Sequence, residues 1–284
     1  MSKLVSIVLP SYNGKDFLNK SIESCLNQTY QNIELIIIND CSTDITEQII
    51  NSYTDSRIKY IKNETNQKLP KSLNIGFNFA KGDYFTWTSD DNYYDVTAIE
   101  KMVVAIESNK VDLVCAPYYT IDNNDEITGE RSVGEQSDVL IDNVVKACFL
   151  YKKEVHQKLK GYNPNLFLVE DYDFWIRATF GNFKFYQLTE KLYYYRFHEN
   201  SLTETRRKDI SRALYNLLKE HEVLFREKNK IDFLKGEFYL KLSKLALANK
   251  EKALCYYKKA ISKKPLLVIN KVILKIILSS LITK

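Results

Sequence analysis

Alternation of strand-like and helix-like segments through the first 117 residues restricts the fold more than any other feature of the sequence. Five segments have the length and composition of strands: 5–10, 33–38, 57–61, 83–88 and 111–117. Four intervening segments have apolar residues at helical spacing: 15–27, 43–53, 68–80 and 96–108. This order predicts right-handed βαβ units, and therefore an α/β fold with a mostly parallel sheet and helices on both faces.

Polar clusters follow three of these strands. The segment "PSYNG" (10–14) ends the first strand, "NDCSTD" (39–44) the second and "SDDN" (89–92) the fourth. In parallel sheets of this kind, ligands bind beyond the carboxyl ends of the strands. We therefore expect these clusters to meet at one edge of the sheet and to form a single site, although they lie about 80 positions apart in the chain.

Two adjacent carboxylates, Asp90 and Asp91, stand in the third cluster. Carboxylate oxygens are the ligands that Mg²⁺ and Mn²⁺ prefer, and these ions share their coordination with substrate phosphates. The sequence has neither a Walker loop nor a G-x-G-x-x-G motif to hold a phosphate. A metal that bridges a diphosphate would replace such a loop, which indicates a nucleoside-diphosphate donor. The alternative is a turn capped by Asp90, with Asp91 in solvent.

The charge distribution divides the chain into two parts. Residues 205–284 contain 20 Lys and Arg but seven Asp and Glu, whereas residues 1–204 contain 21 and 29. We predict an α/β domain over 1–204 and a basic α-helical region over 205–284. Within the second region, residues 245–265 resemble half of a tetratricopeptide repeat, which predicts a helical hairpin. The basic residues are spread along helices, so no nucleic-acid partner is expected.

Three features bear on the compartment. The chain opens without the apolar stretch of a signal peptide, and its five cysteines include no C-x-x-C pair, as in reduced thiols. Both favour a cytoplasmic protein. The segment 266–282 is apolar around most of its helical circumference but short for a membrane span. Two readings stay open: an interfacial helix that gives peripheral contact with the inner face of the cell membrane, or a helix that packs as a terminal cap.

Five ordered blocks of the sequence resemble inverting family 2 glycosyltransferases, which have the GT-A (nucleotide-diphospho-sugar transferase) fold. The blocks are "VSIVLPSYNGKDFLNKSIESCLNQTYQNIELIIINDCSTD", "NQKLPKSLNIGFNFAKGDYFTWTSDDNYY", "KLKGYNP", "VEDYDFWIRA" and "YYRFHENSLTE". They cover roughly residues 4–204. The resemblance implies transfer of a sugar from a nucleoside-diphosphate donor, with a UDP-sugar favoured, to a glycan or glycolipid acceptor. It implies Mg²⁺ or Mn²⁺ as cofactor and, by association with an Asn-, Lys- and Ile-rich composition, bacterial surface polysaccharide synthesis.

The resemblance also implies roles for single residues in nucleotide binding. Pro10, Tyr12 and Asn13 would line the base pocket, and Asp40 would accept a hydrogen bond from the base. Two further positions would contact the nucleotide or the diphosphate: Asn66 and Lys71.

The remaining implied roles concern the metal and the reaction. Asp90 and Asp91 match the metal-binding carboxylates, with one of them, Asp90 in our assignment, also serving the ribose. His198 matches a position that reaches the metal or the diphosphate in some members. Asp171 in "VEDYD" matches the general base that takes the proton of the acceptor hydroxyl, with Glu170 as its substitute.

Two departures and two alternatives accompany this resemblance. Thr88 stands where the family often has a third aspartate, which puts the ribose contact in doubt. Leu73 stands where the family often has an arginine, and Lys71 could supply that charge instead.

A sugar-nucleotide pyrophosphorylase is one alternative function, but "PSYNG" is not the glycine-rich, arginine-containing loop that such an enzyme carries. A degenerate transferase that acts as an adaptor through its helical tail is the other; retention of Asp40 together with the aspartates above argues against it.

Overall fold

The computed structural model describes residues 2–227, 236–249, 251 and 253–264. These residues form two compact units. The first contains the chain up to Val139 and then Asn143–Ser201, and the second contains Leu140–Asp142 and the chain from Leu202 onward. The segment 266–282, for which we predict membrane contact or a terminal cap, lies outside the described residues.

The first unit contains the strands and helices that position the site. Its strands are β1 (Val5–Ser11), β2 (Ile33–Asn39), β3 (Ile58–Lys62), β4 (Tyr84–Trp87), β5 (Tyr93–Tyr94), β6 (Leu113–Ala116), β7 (Tyr118–Ile121), β8 (Ile127–Arg131), β9 (Cys148–Lys152), β10 (Phe185–Gln187) and β11 (Tyr193–Arg196). Its helices are α1 (Leu18–Leu26), α2 (Thr46–Asn51), α3 (Lys68–Phe79), α4 (Ala98–Asn109), α5 (Lys153–Leu159) and α6 (Glu170–Phe180). The predicted strands and helices of the first 117 residues are all present, with ends that differ by a few residues.

Seven strands form the main sheet, in the order β10-β6-β9-β4-β1-β2-β3. The strands β1, β2, β3 and β4 are parallel, as are β6 and β10, whereas β9 runs antiparallel to both of its neighbours. All seven residues of β1 are buried, because β1 pairs with β2 and β4 while helices cover the sheet. This burial explains its continuous apolar sequence. The predicted α/β fold with a mostly parallel sheet is confirmed.

Residues 118–204, in which the sequence shows little alternation, supply most of a second sheet. Its order is β5-β11-β7-β8, with β11 antiparallel to β5 and parallel to β7. The rings of Tyr93, Tyr194 and Tyr119 stack across three of its strands, with centroids 4.5 and 5.5 Å apart. The strands are only two to five residues long, and such short runs carry too few residues to show a period of two.

The second unit is helical where it is described. Its helices are α7 (Leu202–Thr205), α8 (Arg207–Glu227), α9 (Gly236–Ala248) and α10 (Ala253–Lys263). Helices α9 and α10 pack against each other as a helical hairpin, with small buried residues such as Ala246 and Ala260 in their packing. Among the described helices, none is long and apolar enough to cross a membrane.

Replacement of Gly76 by alanine should destabilise the first unit. A Cβ at Gly76 in α3 would lie 2.5 Å from Cγ1 of Val8 in β1. Overpacking costs about 1–3 kcal/mol, against roughly 1 kcal/mol that alanine gains over glycine in a helix. We expect a lower free energy of unfolding in urea. In a Val8→Ala background, which removes the clashing methyl groups, Gly76→Ala should be neutral or stabilising; equal losses in both backgrounds would contradict the proposed clash.

Candidate active site

The side chain of Asp90 is held against the end of β1. Beyond β4, the amide of Thr88 donates to the carbonyl of Val8 at 3.0 Å and keeps the chain beside β1. Asp90 Oδ2 then accepts hydrogen bonds from Ser11 Oγ at 2.6 Å and from the Tyr12 amide at 3.3 Å. A Cβ on Gly14 would lie 2.2 Å from the same oxygen. The glycine of "PSYNG" therefore makes room for a carboxylate.

Asp91 meets His198 because β5 pairs with β11. In the antiparallel register, Tyr93 lies opposite Tyr194. If the same register is extended, the residues just before β5 lie opposite those at the end of β11 and just after it. His198 Nε2 lies 3.0 Å from Asp91 Oδ2, and both side chains are mostly buried. The other oxygen, Asp91 Oδ1, is buried and has no hydrogen-bond partner among the described residues.

The electrostatics of this group favour a bound cation. Burial and the neighbouring charge of Asp91 raise the pKa of Asp90 to about 7, so the two carboxylates do not both hold their charge easily near neutral pH. The hydrogen bond with Asp91 raises the pKa of His198. A cation between these groups would relieve the repulsion between the carboxylates in the way that a proton does.

Arg196 is a residue of this group that the sequence analysis missed. Its side chain is 1% exposed, and its Nε donates to the carbonyl of Asp91 at 3.0 Å. The Arg196 amide donates to the side chain of Asn92 at 2.7 Å. Its signal in the sequence is an arginine inside an aromatic strand, "YYYRF", where a charge must be buried and therefore paired.

Asp40, at the end of β2, is buried and organises the loop before α3. Its Oδ1 accepts hydrogen bonds at 2.8 Å from Asn63 Nδ2 and from the Gln67 amide, and its Oδ2 accepts one at 2.9 Å from the Lys68 amide. A carboxylate oxygen can accept two hydrogen bonds, so Oδ2 keeps acceptor capacity for a ligand. Asp40 therefore fixes the loop that contains Asn66, an exposed residue whose Oδ1 accepts from the Lys68 amide.

The other predicted nucleotide-binding residues surround this edge of the sheet. Pro10 is buried in β1, whereas Tyr12 is 53% exposed just beyond it. Asn13 adopts a left-handed conformation with φ 57°, and its Oδ1 accepts from the Thr43 amide at 2.8 Å, which joins the loops after β1 and β2. Lys71 is exposed in the first part of α3.

Thr88 cannot take the place of the third aspartate of the family. Its side chain is fully buried, and its hydroxyl forms a hydrogen bond of 2.7 Å with that of Tyr193. This contact fastens the segment after β4 to β11. A ribose contact at this position is therefore not available from Thr88.

Asp171 lies in the first turn of α6, beside the buried Glu170. Asn143 Nδ2 donates to Asp171 Oδ2 at 2.8 Å. Tyr162 connects this turn with the carboxylates after β4: Trp87 Nε1 donates to the Tyr162 hydroxyl at 2.9 Å, and burial together with the charges of Asp171 and Glu170 raises the pKa of Tyr162. Tyr162 therefore lies between the end of β4 and α6, where its ring also stacks on that of Phe174.

The two adjacent carboxyl groups of α6 differ in their surroundings. Burial and the charge of Asp171 raise the pKa of Glu170 to about 8, and Glu170 Oε2 has no hydrogen-bond partner among the described residues. Burial also raises the pKa of Asp171, but the hydrogen bond from Asn143 opposes that rise. The hydrogen bond from Asn143 therefore favours the ionised form of Asp171, whereas Glu170 Oε2 has no such donor among the described residues.

The donor set around Asp91 suits a hard divalent cation that a substrate helps to hold. Within the described part of the chain, no three His, Cys, Asp or Glu side chains gather closely enough to hold a metal ion by themselves. Mg²⁺ and related ions are usually held by one or two carboxylates together with water and substrate phosphates. Asp91 Oδ1, buried and without a partner among these residues, is the oxygen that such an ion would satisfy.

The family model for glycosyl transferase family 2 matches residues 6–167. An uncharacterized glycosyltransferase of Rickettsia prowazekii is 32% identical over 278 residues, which cover 87% of this chain and 85% of that protein. The UDP-Glc:alpha-D-GlcNAc-diphosphoundecaprenol beta-1,3-glucosyltransferase WfaP of Escherichia coli is 33% identical over 220 residues, 76% of this chain and 86% of that protein.

Solved structures show the same fold at low sequence identity. Residues 1–349 of S. aureus TarS in complex with UDP-GlcNAc match with a TM-score of 0.63 and 16% identity, over 86% of this chain and 81% of that TarS fragment. A mannosyltransferase of Pyrobaculum calidifontis in complex with GDP-Man and Mn²⁺ matches with a TM-score of 0.64 and 12% identity, over 95% of this chain and 82% of that one. The chain therefore belongs to glycosyl transferase family 2, and it is a glycosyltransferase with the GT-A fold.

Proposed function

We propose that the protein is a metal-dependent, inverting glycosyltransferase that moves a sugar from a nucleoside-diphosphate donor, most readily a UDP-sugar, to an acceptor hydroxyl. The observation that carries this proposal is the Asp91–His198 pair at the carboxyl edge of the sheet, with a buried carboxylate oxygen that has no partner in the described chain. The ligands of its structural neighbours, UDP-GlcNAc and GDP-Man, support a nucleotide-sugar donor.

The donor would bind along the loops after β1 and β2. Tyr12 offers an exposed ring for the base, and Pro10 and Asn13 shape the loop around it. Asp40 would accept a hydrogen bond from the base through the remaining capacity of its Oδ2. Asn66 and Lys71 are exposed on the loop and helix beyond Asp40, where an amide and a cation suit a ribose and a diphosphate.

Asp91 and His198 would hold the cation, with Asp90 beside them. Asp91 has the partnerless oxygen and the contact with His198, whereas Asp90 Oδ2 already accepts two hydrogen bonds. We therefore assign the inner ligand role to Asp91 and leave one oxygen of Asp90 for the cation or the ribose. When bound, Mg²⁺ or Mn²⁺ offsets the negative charge that develops on the diphosphate leaving group.

Asp171 would act as the general base. A hydroxyl is a weak nucleophile, so a carboxylate must take its proton as the oxygen attacks the sugar C1 atom. The hydrogen bond from Asn143 fixes the Asp171 carboxylate and favours its ionised form, whereas Glu170 Oε2 has no hydrogen-bond partner in the described chain. A single displacement of this kind inverts the anomeric centre and requires no covalent intermediate on the protein.

The acceptor would be a glycan or a glycolipid in bacterial surface polysaccharide synthesis. The relative WfaP, a glucosyltransferase for a diphosphoundecaprenol-linked sugar, supports a lipid-linked acceptor. Peripheral membrane contact through 266–282 would bring the protein to such an acceptor. The family membership disfavours a pyrophosphorylase, and measured sugar transfer would exclude an adaptor without activity.

Asp91→Asn should abolish the increase in UDP affinity that Mn²⁺ produces, because the substitution removes the charge that holds the ion. Asp90→Asn should weaken the effect less. Isothermal titration of UDP with and without Mn²⁺ measures both, and we expect a loss of at least about tenfold, or 1.4 kcal/mol, for Asp91→Asn. Asp16→Asn, at an exposed position in the loop before α1, is the control. Unchanged Mn²⁺ dependence in Asp90→Asn and Asp91→Asn would mean that the aspartate pair is only a turn.

Asp171→Asn should leave donor affinity nearly unchanged and lower the rate of sugar transfer at saturating donor by about 10²–10⁴-fold. Asparagine matches aspartate in size but cannot take a proton. Glu170→Gln is the matched comparison and should retain most of the turnover. A greater loss in Glu170→Gln than in Asp171→Asn would move the role of base to Glu170.

The stability of the first unit should fall as pH rises from about 5 to 8. The pKa of Glu170 is raised to about 8 in the folded protein, so over this range the unfolded chain releases a proton that the folded protein keeps. The free energy of unfolding should fall by up to about 1.4 kcal/mol per pH unit from this group. The raised pKa of Asp90, about 7, adds a slope of the same sign over the lower part of this range. Urea denaturation of Glu170→Gln should therefore show a shallower fall than wild type, most clearly between about pH 7 and 8, whereas Glu154→Gln, at an exposed position on α5, should match wild type. An equal slope in Glu170→Gln and wild type would contradict the assignment.

A further inference from the structure

Asp125 lies in the turn between β7 and β8, outside the candidate site, and binds the residue that holds Asp91. Arg196 Nη2 lies 2.5 Å from Asp125 Oδ1, and Arg196 Nη1 donates to the carbonyl of Asp122 in the same turn. The third nitrogen of the guanidinium, Nε, donates a hydrogen bond to the carbonyl of Asp91. One planar group therefore connects the tip of the β7–β8 hairpin with the carboxylate pair.

Asp125 compensates the buried positive charge of Arg196. The side chain is 1% exposed, so water compensates little of its charge. Asp125 supplies a carboxylate at 2.5 Å, and the ring of Phe17 lies 4.1 Å from the guanidinium carbon. A buried cation that loses its carboxylate is strongly disfavoured and must move or become hydrated. Movement of the guanidinium would release the carbonyl of Asp91.

Local hydrogen bonds fix the conformation of the turn that contains Asp125. Asp122 Oδ1 accepts hydrogen bonds from the amides of Asn124 and Glu126 at 2.8 and 3.0 Å, and Asp125 adopts a left-handed conformation with φ 67°. The second oxygen of Asp125 lies 2.5 Å from Nζ of Lys20 on α1. The carboxylate is therefore held on both sides, by α1 and by Arg196.

We infer that Asp125 is a positioning residue for the proposed cation and diphosphate site, and that it acts through Arg196 to fix Asp91 and its contact with His198. Asp125 does not touch the substrate in this role. The β7–β8 turn is then a support of the site, although none of the family-like sequence blocks includes it. This inference rests on the proposed function, since it concerns the cation that Asp91 and His198 would hold.

Two variants test the inference in the full-length protein. Asp125→Asn removes the charge, and Asp125→Gly removes the side chain; both residues tolerate a positive φ, so the turn should keep its conformation. Glu130→Gln is the matched control, because Glu130 on the same hairpin pairs with Lys191 at 2.8 Å and does not contact Arg196. Circular dichroism and the urea midpoint establish that each variant is folded.

The measurement is the affinity for Mn²⁺ in the presence of UDP, followed by the electron paramagnetic resonance of free Mn²⁺. Residues that orient metal ligands typically change metal affinity by about 10–100-fold. We expect a loss of at least about tenfold in Asp125→Gly, a smaller loss in Asp125→Asn, and none in Glu130→Gln. The affinity for UDP in EDTA should stay unchanged in all three, and excess Mn²⁺ should restore turnover, which a general loss of structure would not allow.

Two outcomes would overturn the inference, and they can be told apart. If wild type binds Mn²⁺ with UDP and the Asp125 variants match Glu130→Gln, the inference fails while the proposed function stands. If wild type itself binds no Mn²⁺ with UDP, the metal dependence in the proposed function fails, and this inference fails with it.

Discussion

The central place of β1 in the sheet is the constraint on which the candidate site depends. Because β1 pairs in parallel with both β2 and β4, the loops after all three strands leave the sheet at one edge. Hydrogen bonds then continue beyond the strand ends: the amide of Asp40 donates to the carbonyl of Ser11, and the side chain of Ser11 donates to Asp90. The loop after β2 and the carboxylate pair are therefore both hydrogen-bonded to one short segment of backbone at the end of β1.

The site also requires charges to be buried together, and the fold compensates each in a different way. Asp90 accepts hydrogen bonds from the end of β1, Arg196 is paired with Asp125, and Asp91 lies against His198. Asp91 Oδ1 and Glu170 Oε2 are left without partners in the described chain. Buried polar atoms of this kind cost free energy. Under the proposed function, the cation would complete the bonding of Asp91 Oδ1, and Glu170 Oε2 lies next to the proposed base.

Much of this arrangement could be predicted from the sequence, since it depends on local patterns. The apolar run of β1, the helical spacing of α1–α4 and the polar clusters after three of the strands predict the edge at which the aspartates lie. The strand β9 could not be predicted in the same way. It is inserted antiparallel between β4 and β6, and its pairing is set by tertiary packing that leaves no periodic signal in the chain.

The second sheet escaped prediction for a related reason. Four of the five residues of β8 are exposed, so that strand lacks an apolar face, and β5 has two residues. Arg196 and Asp125 gain their roles only when these short strands pair. The role of Gly14 could be predicted only in part. A glycine after "PSYN" predicts a turn, but the sequence does not show that this glycine lies close to Asp90 Oδ2 in the folded chain.

The pairing of β5 with β11 has a consequence for folding during synthesis on the ribosome. Asp91 and His198 are 107 positions apart in the chain, and ribosomes add about 5–20 residues per second. Roughly 5–20 s must therefore pass between the synthesis of the first partner and that of the second. During this interval the loop after β4 carries two adjacent carboxylates without the imidazole and the guanidinium that later surround them. The nascent chain must protect or tolerate this exposed charge until β11 emerges.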